Sequence, residues 1–218
     1  MSVKMNVLAS RSAWLKARKQ YIGGSDVACI LGLNPWKTNV QLWREKKGLV
    51  LPADLSDNEA VIYGTKAEEH IRALYQLEHP QYEVVYAENN SWHNSKYPFA
   101  AASLDGWLLD RENKRKGIWE CKTATITSSQ QANKWKDGLI PDNYYCQVLY
   151  YLGVTEWDFV ELRARLRYEF PEKVFITERD YHIERSEVED DISMIMEATA
   201  KFHKSLKENK EPSLILTI

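Results

Sequence analysis

Two neighbouring extended segments constrain the fold of this chain more than any other feature of its sequence. Residues 99–109 and 117–122 are rich in apolar and aromatic side chains, and the charged stretch between them has the length of a turn. They predict two adjacent strands of one sheet. Because side chains alternate across a strand, Glu120 and Lys122 share a face, and pairing of the strands would bring Asp105 to the same spot.

The rest of the chain supplies helices around these strands. The first 80 residues carry helix signals such as the capping box of Thr38 and Gln41, and residues 186–209 repeat apolar residues with a helical period. We therefore expect an α/β fold with a mixed central sheet flanked by helices and a helical N-terminal region. Residues 1–218 would form a single domain, with a mainly helical region at 1–80, the sheet core at 81–185 and a C-terminal helix and tail at 186–218.

Composition sets outer limits on these expectations. A length of 218 residues suits one domain, and eight Trp and twelve Tyr residues can fill a sizeable core. Cys29, Cys121 and Cys146 form no paired motif, so we expect a reducing, cytoplasmic environment. No apolar run has the length of a membrane span and the first residues lack a signal-peptide pattern, so we expect neither feature. The formal net charge of −2 lacks the positive excess that a DNA-binding domain often has; it is compatible with a basic groove around an acidic metal site but does not predict one.

Two carboxylates and a lysine suit the hydrolysis of a phosphodiester with a hard metal ion. Mg²⁺ prefers oxygen ligands and keeps several waters, so Asp105 and Glu120 could hold it and leave room for a phosphate oxygen and a water. The Lys122 ammonium could hold that water in line, or take its proton if burial lowers the lysine pKa. An isolated Glu-x-Lys is common on surface strands, and the upstream Asp-Gly makes this pattern more specific.

At these residues the chain resembles the PD-(D/E)xK nuclease superfamily and, within it, the YqaJ-like and lambda-type phage alkaline exonucleases. The resemblance runs from about Trp14 to Val160 and depends on blocks that occur in one order. The blocks are Trp14-x3-Arg18 with Ile22-Gly-Gly-Ser25-Asp-Val, Leu31-Gly-Leu-Asn-Pro-Trp36, Gly64-Thr-Lys-Ala-Glu68, Ser103-Leu-Asp105-Gly, and Trp119-Glu-Cys-Lys122 followed by Tyr144-x2-Gln147. Leu104 replaces the usual Pro before the Asp, a departure that removes no ligand.

The resemblance implies a restriction-endonuclease-like core that binds two Mg²⁺ ions, with Mn²⁺ as a substitute. Asp105, Glu120 and the backbone carbonyl of Cys121 would hold one ion, and Glu68 would support the second. The neighbouring Glu69 competes with Glu68 for this role, although a solvated helical glutamate describes Glu69 better.

Other residues gain roles from the same resemblance. Lys122 and Gln147 would position the attacking water, whereas the sequence by itself also allows Gln147 to bond to backbone groups. Tyr144, one helical turn earlier, either joins them or packs in the core. The three residues that match the family's pocket for a terminal 5′-phosphate are Arg18, Ser25 and Ser103. From spacing alone, Ser25 also fits an ordinary helix N-cap after the Gly-Gly turn.

For function, the resemblance implies a 5′→3′ exonuclease. Such an enzyme digests one strand of linear double-stranded DNA to 5′-mononucleotides and leaves a 3′ overhang for phage-type recombination by strand annealing. The resemblance also implies a ring-shaped homotrimer, a single-strand annealing protein as partner, and the cytoplasm of a bacterial host. Two alternatives stay open: a structure-specific or helicase-coupled endonuclease of the same superfamily, and a non-catalytic DNA-binding module. The intact set of Asp105, Glu120 and Lys122 speaks against the module, because a binding protein has no need of all three.

The sequence leaves two interpretations open for several basic residues and for one tryptophan. The basic segment 111–116 and the series Arg163, Arg165 and Arg167 either face DNA or lie on solvated surfaces. Trp36 either packs in its loop, the commoner outcome, or contacts DNA or a neighbouring subunit.

Overall fold

The computed structural model describes residues 2–215, and within them the chain forms seven α-helices and nine strands. The strands are β1 (Val3–Val7), β2 (Ile22–Gly23), β3 (Tyr82–Val85), β4 (Asn90–Asn94), β5 (Tyr97–Ala102), β6 (Gly106–Asp110), β7 (Lys116–Ile126), β8 (Phe159–Phe170) and β9 (Lys173–Glu184). The helices are α1 (Arg11–Arg18), α2 (Gly24–Ile30), α3 (Asn39–Lys46), α4 (Glu59–Glu78), α5 (Ser129–Asn133), α6 (Asp142–Thr155) and α7 (Glu189–Lys207). The end of the predicted tail, 216–218, lies outside the described residues.

The strands form two mixed sheets with helices around them, which confirms the predicted α/β class. One sheet has the order β1-β4-β5-β2, and the other has the order β3-β6-β7-β8-β9. In the larger sheet β7 pairs in parallel with β8 over its whole length and antiparallel with β6. The parallel pair is connected through α5 and α6, and α6 contacts β7 through the Gln147–Glu120 hydrogen bond.

The prediction of one strand over residues 99–109 is wrong. The chain is extended from Tyr97 to Ala102 in the smaller sheet, leaves it, and re-enters the larger sheet at Gly106 as β6. Residues 103–105 cross between the two sheets. A Cβ at Gly106 would lie 3.3 Å from both the Trp119 ring and the Val85 carbonyl, so the crossing chain comes very close to its new neighbours. The sequence does not reveal the change of sheet, because an extended backbone has the same side-chain pattern whichever strand it pairs with.

The N-terminal region is not purely helical. Besides α1 to α4 it contains β1, which pairs antiparallel with β4, and β2, which pairs in parallel with β5. The partner strands β4 and β5 are distant in the sequence, so no local turn motif predicts these pairings.

Ser25 is also not the N-cap of α2. The cap is Gly23, whose N–H donates to Asp26 Oδ2 at 2.9 Å, and the helix begins at Gly24.

The two faces of β7 have different surroundings, and this difference positions the site. Trp119 and Cys121 are buried on one face with Ile71 and Tyr75 of α4. Glu120 lies on the other face, toward α6. The apolar face therefore anchors the strand, while the alternate residues are free for polar contacts. No helix within residues 2–215 is long and apolar enough to cross a membrane.

Candidate active site

Glu120 is the centre of a buried polar cluster on β7. Its side chain is only 1% exposed, and Oε1 accepts hydrogen bonds from Lys122 Nζ at 2.6 Å and from Gln147 Nε2 at 2.9 Å. Gln147 lies on α6 and also donates to the Tyr151 hydroxyl at 2.9 Å. The Tyr144 ring lies on the same helix, with its centroid 5.1 Å from Lys122 Nζ. The structure thus brings Lys122, Gln147 and Tyr144, which the sequence analysis linked to the attacking water, close to the predicted metal ligand Glu120.

Asp105 enters the cluster from the crossing segment between the sheets. Its Oδ2 accepts a hydrogen bond from the backbone N–H of Cys121 at 3.0 Å, so the carboxylate lies beside β7 next to Glu120. The backbone carbonyl of Asp105 accepts from Arg72 Nη1 at 2.7 Å. Cys121 presents its thiol to the opposite, buried face, so only its backbone is available to the site.

Glu68 and Glu69 both line the same cavity as Asp105. Glu68 Oε1 accepts from Arg72 Nη1 at 3.1 Å, and burial together with the charge of Asp105 raises the pKa of Glu68 to about 7. Among the residues that the structure describes, no three His, Cys, Asp or Glu side chains form a ready-made metal cage. Glu68 is therefore near the acidic pair without completing a three-carboxylate set, and its role as a ligand stays a prediction.

The acidic cluster is electrostatically strained. Burial, with the added charge of Asp105, raises the pKa of Glu120 to about 8, and burial also raises the pKa of Asp105. Burial alone would lower the pKa of Lys122, but Glu120 and Asp105 outweigh it and raise that pKa. Because two carboxylates stabilise the ammonium form, the condition under which Lys122 would take a proton from the water is not met, and its role of holding the water in line is the one that fits.

The donor atoms present fit a hard divalent cation. Glu120 Oε2 is buried and has no hydrogen-bond partner, which is costly unless another group occupies its lone pairs. Burial is the largest cause of the raised pKa values of Glu120 and Asp105, so their charged forms are poorly solvated and a bound cation would stabilise them. Carboxylate oxygens are the ligands that Mg²⁺ prefers, so Asp105 and Glu120 form a suitable pair.

The three residues predicted to bind a terminal phosphate are connected through Trp14. Arg18 Nη2 donates to Ser25 Oγ at 2.5 Å, and the Arg18 guanidinium lies 4.9 Å from the centroid of the Trp14 ring. Trp14 Nε1 in turn donates to Ser103 Oγ at 3.2 Å. Arg11 lies over the same ring at 4.3 Å. From the sequence, Trp14 was identified only as part of the block Trp14-x3-Arg18, without a role, and Arg11 was not identified.

One open cavity of about 800 Å³ joins these two clusters. Arg18 and Ser103 line one part of its wall together with Arg11, and Asp105, Glu120, Lys122 and Gln147 line another. Cationic and acidic side chains therefore line the same cavity, whereas Ser25 is not among its lining residues.

Sequence reasoning missed several residues that shape the cavity. Arg72 could have been found, because its position four residues after Glu68 places both on one face of a helix. Asn90, which bonds to the backbone of Leu104, gave no local signal, since the two residues meet only through the sheet.

The series of arginines on β8 does not form a free basic surface. Arg163 is 3% exposed and bonds to Asp180 and Glu78, so the DNA-facing reading is wrong for this residue. Arg165 and Arg167 are ion-paired with Glu178 and Glu169, respectively. The interpretation that Trp36 packs in its loop is also wrong, because this side chain is 77% exposed.

The fold is shared with solved exonucleases. The alkaline exonuclease LHK-Exo from Laribacter hongkongensis is similar with a TM-score of 0.56 at 17% identity, covering 90% of this chain and 95% of that chain. A phage-related exonuclease from Haemophilus somnus 129PT is similar with a TM-score of 0.51 at 15% identity, covering 87% and 96%. The architecture is therefore that of the alkaline exonucleases.

Sequence comparison places the chain more closely. The family model of the YqaJ-like viral recombinase domain matches residues 13–158, and the protein belongs to this family. The uncharacterized protein YqaJ of Bacillus subtilis (strain 168) is 37% identical over 145 residues, which are 66% of this chain and 42% of that protein. The matched region is thus less than half the length of this curated relative. These findings confirm the family resemblance.

Proposed function

We propose that the protein is a magnesium-dependent deoxyribonuclease that digests one strand of linear double-stranded DNA from its 5′ end. The products would be 5′-mononucleotides and a 3′ overhang, the substrate for phage-type recombination by strand annealing. The observation that carries this proposal is the convergence of Asp105, Glu120, Lys122 and Gln147 in one cavity. Membership of the YqaJ-like family and the alkaline exonuclease fold support it.

In the proposed site, Asp105, Glu120 and the Cys121 carbonyl would hold one Mg²⁺, and Glu68 would support a second. When bound, Mg²⁺ would polarise the phosphoryl group and lower the pKa of a water, so that the water loses a proton to solvent more readily and becomes a better nucleophile. Lys122 contributes a charged ammonium that orients the water and compensates the charge developing on the phosphate. Gln147 holds Glu120 through its Nε2–Oε1 hydrogen bond, so that the carboxylate keeps its other oxygen free.

We assign end recognition to the part of the cavity wall that contains Arg18 and Ser103. A terminal 5′-phosphate would receive charge-assisted hydrogen bonds from Arg18 and further bonds from the hydroxyl groups of Ser25 and Ser103. A phosphate bound there lies in the same cavity as the acidic cluster, so the next phosphodiester along the strand could reach the attacking water. This arrangement supports release of single nucleotides.

The assembly and partners follow from the family resemblance and are also part of the proposal. A ring of three copies around DNA would keep each enzyme on its substrate after every cleavage. A single-strand annealing protein would bind the 3′ overhang as it appears, in the cytoplasm of a bacterium that carries the phage or prophage.

The test is digestion of linear duplexes labelled at either the 5′ or the 3′ end of one strand. With Mg²⁺ we expect label from the 5′ end to appear first, as a mononucleotide, and no digestion in EDTA. Lys122→Ala should lower the rate by about 100-fold or more, because it removes a charge aimed at the transition state. Label released first from the 3′ end would contradict the proposed polarity.

Two further measurements separate the alternatives. Covalently closed circles should resist digestion, and their cleavage would favour the endonuclease. A chain that binds duplex ends but leaves them intact with either Mg²⁺ or Mn²⁺ would be a binding module. Mass measurement in solution tests the trimer separately from the activity.

A further inference from the structure

We propose that Asn90 is a positioning residue that sets the direction of the segment carrying Ser103 and Asp105. The inference rests on the proposed function, because it assigns Asn90 to the site proposed for the metal ion and the DNA end. The side chain of Asn90 lies on β4 and is 4% exposed. It would act through its neighbours and not on the substrate.

The amide of Asn90 makes a two-point contact with Leu104, the residue before Asp105. The Leu104 N–H donates to Asn90 Oδ1 at 2.9 Å, and Asn90 Nδ2 donates to the Leu104 carbonyl at 2.8 Å. The register that pairs Trp92 with Ala102 places Asn90 opposite Leu104, just beyond the end of β5. The amide therefore supplies the donor and acceptor that a backbone partner would have supplied if the two strands had continued together.

The backbone of Asn90 constrains the other side of the same segment. Its carbonyl accepts a hydrogen bond from Trp14 Nε1 at 3.1 Å, and the same indole N–H is 3.2 Å from Ser103 Oγ. Ser103 and Asp105 flank Leu104, so Asn90 restrains the predicted phosphate ligand and the predicted metal ligand together. With this restraint the Asp105 carboxylate meets the Cys121 N–H at 3.0 Å.

Only an amide can make these contacts. Asn90 Nδ2 also donates to the carbonyl of Ala87 at 2.9 Å, so both amide hydrogens are directed at carbonyl oxygens. An aspartate accepts but does not donate, and its second oxygen would face the carbonyls of Leu104 and Ala87. Asn90→Asp should therefore keep the bond from the Leu104 N–H, repel the two carbonyls and shift Asp105.

Asn94 offers a matched control on the same strand. It is 2% exposed, its Nδ2 donates to the Val154 carbonyl at 3.1 Å, and its Oδ1 accepts from the Lys96 N–H at 2.9 Å. Asn94→Asp thus makes the same chemical change in an equally buried place, without contact to residues 103–105. Any loss shared by the two variants belongs to the fold.

The experiment measures Mg²⁺ affinity by calorimetry without DNA, and kcat and KM on a 5′-phosphorylated duplex. For Asn90→Asp we expect Mg²⁺ affinity and kcat to fall by about 10- to 100-fold, as for residues that orient metal ligands. Asn94→Asp should remain close to the parent in both. Equal effects of the two substitutions, or a parent-like Asn90→Asp, would overturn the inference.

Two further comparisons keep the result interpretable. If circular dichroism shows that Asn90→Asp is unfolded, Asn90→Ser and Asn94→Ser replace the pair, since serine can make only part of the two-point contact. A parent chain that binds no Mg²⁺ would overturn the proposed function and this inference together. A parent that binds Mg²⁺ and digests duplex ends retains its function whatever Asn90→Asp does.

Discussion

Gln147 and Glu120 are joined by a hydrogen bond of 2.9 Å, although they lie 27 residues apart, on α6 and β7. The same Glu120 oxygen accepts from Lys122 at 2.6 Å, so a helix and a strand hold one buried carboxylate from two sides. Its second oxygen is left without a partner. This asymmetry gives the carboxylate one fixed oxygen and one that is available to a cation.

Replacing Gln147 should therefore impair catalysis more than folding. In Gln147→Leu the carboxylate loses one of its two donors and is free to rotate, and we expect kcat to fall by about 10- to 100-fold with little change in KM. Gln76→Leu is the control. Gln76 is also a helical glutamine, but it bonds to the backbone of Tyr82 and Val84. A kcat of Gln147→Leu equal to that of the control would argue against a positioning role.

Gly24 should not tolerate a methyl group. A Cβ there would lie 2.4 Å from the Tyr151 ring and 3.0 Å from Gln147 Cγ, so Gly24→Ala must displace two residues beside Glu120. We expect a loss of about 1–3 kcal/mol in the free energy of unfolding, measured with urea, and a lower kcat. Gly23→Ala is the control, since its Cβ would have no neighbour nearer than 3.8 Å. Similar results for both alanine variants would contradict the close approach of α2 and α6.

Arg18→Ala should reduce the preference for 5′-phosphorylated ends. Arg18 bonds to Ser25 and lines the cavity, and loss of a charge-assisted bond to phosphate should lower the advantage of phosphorylated ends by about 10-fold or more. The measurement is initial rate on duplexes that differ only in the terminal phosphate. Lys16→Ala, an exposed change on the same helix, controls for charge. An equal loss on both kinds of end would show that Arg18 does not recognise the phosphate.

Arg163 should matter for stability and not for DNA binding. Its guanidinium is buried, bonds to Asp180 and Glu78, and lies 4.8 Å from the centroid of the Tyr75 ring. Asp180 and Glu78 are partly exposed, so water can solvate them when their partner is removed and the loss is limited. We expect Arg163→Met to lower the free energy of unfolding by about 2 kcal/mol. Arg167→Met removes an exposed ion pair and should change it by less than about 0.5 kcal/mol. Weaker duplex binding by folded Arg163→Met would restore the DNA-facing reading.

The sequence alone was sufficient for two features that depend on local pattern. Strand alternation predicted that Glu120 and Lys122 share a face, and their contact at 2.6 Å agrees with it. The order of the motif blocks predicted the family, which the match over residues 13–158 confirms. These features were accessible because neighbours along the chain, or a fixed order of motifs, carry them.

The tertiary structure decided what depends on partners far apart in the sequence. It divided residues 99–109 between two sheets, paired β1 with β4, and buried Arg163 among acids of α4 and β9. It also brought Asn90 to Leu104. An extended segment has the same periodicity in either sheet, and an arginine has the same charge whether it is buried or exposed, so only long-range packing could distinguish these outcomes.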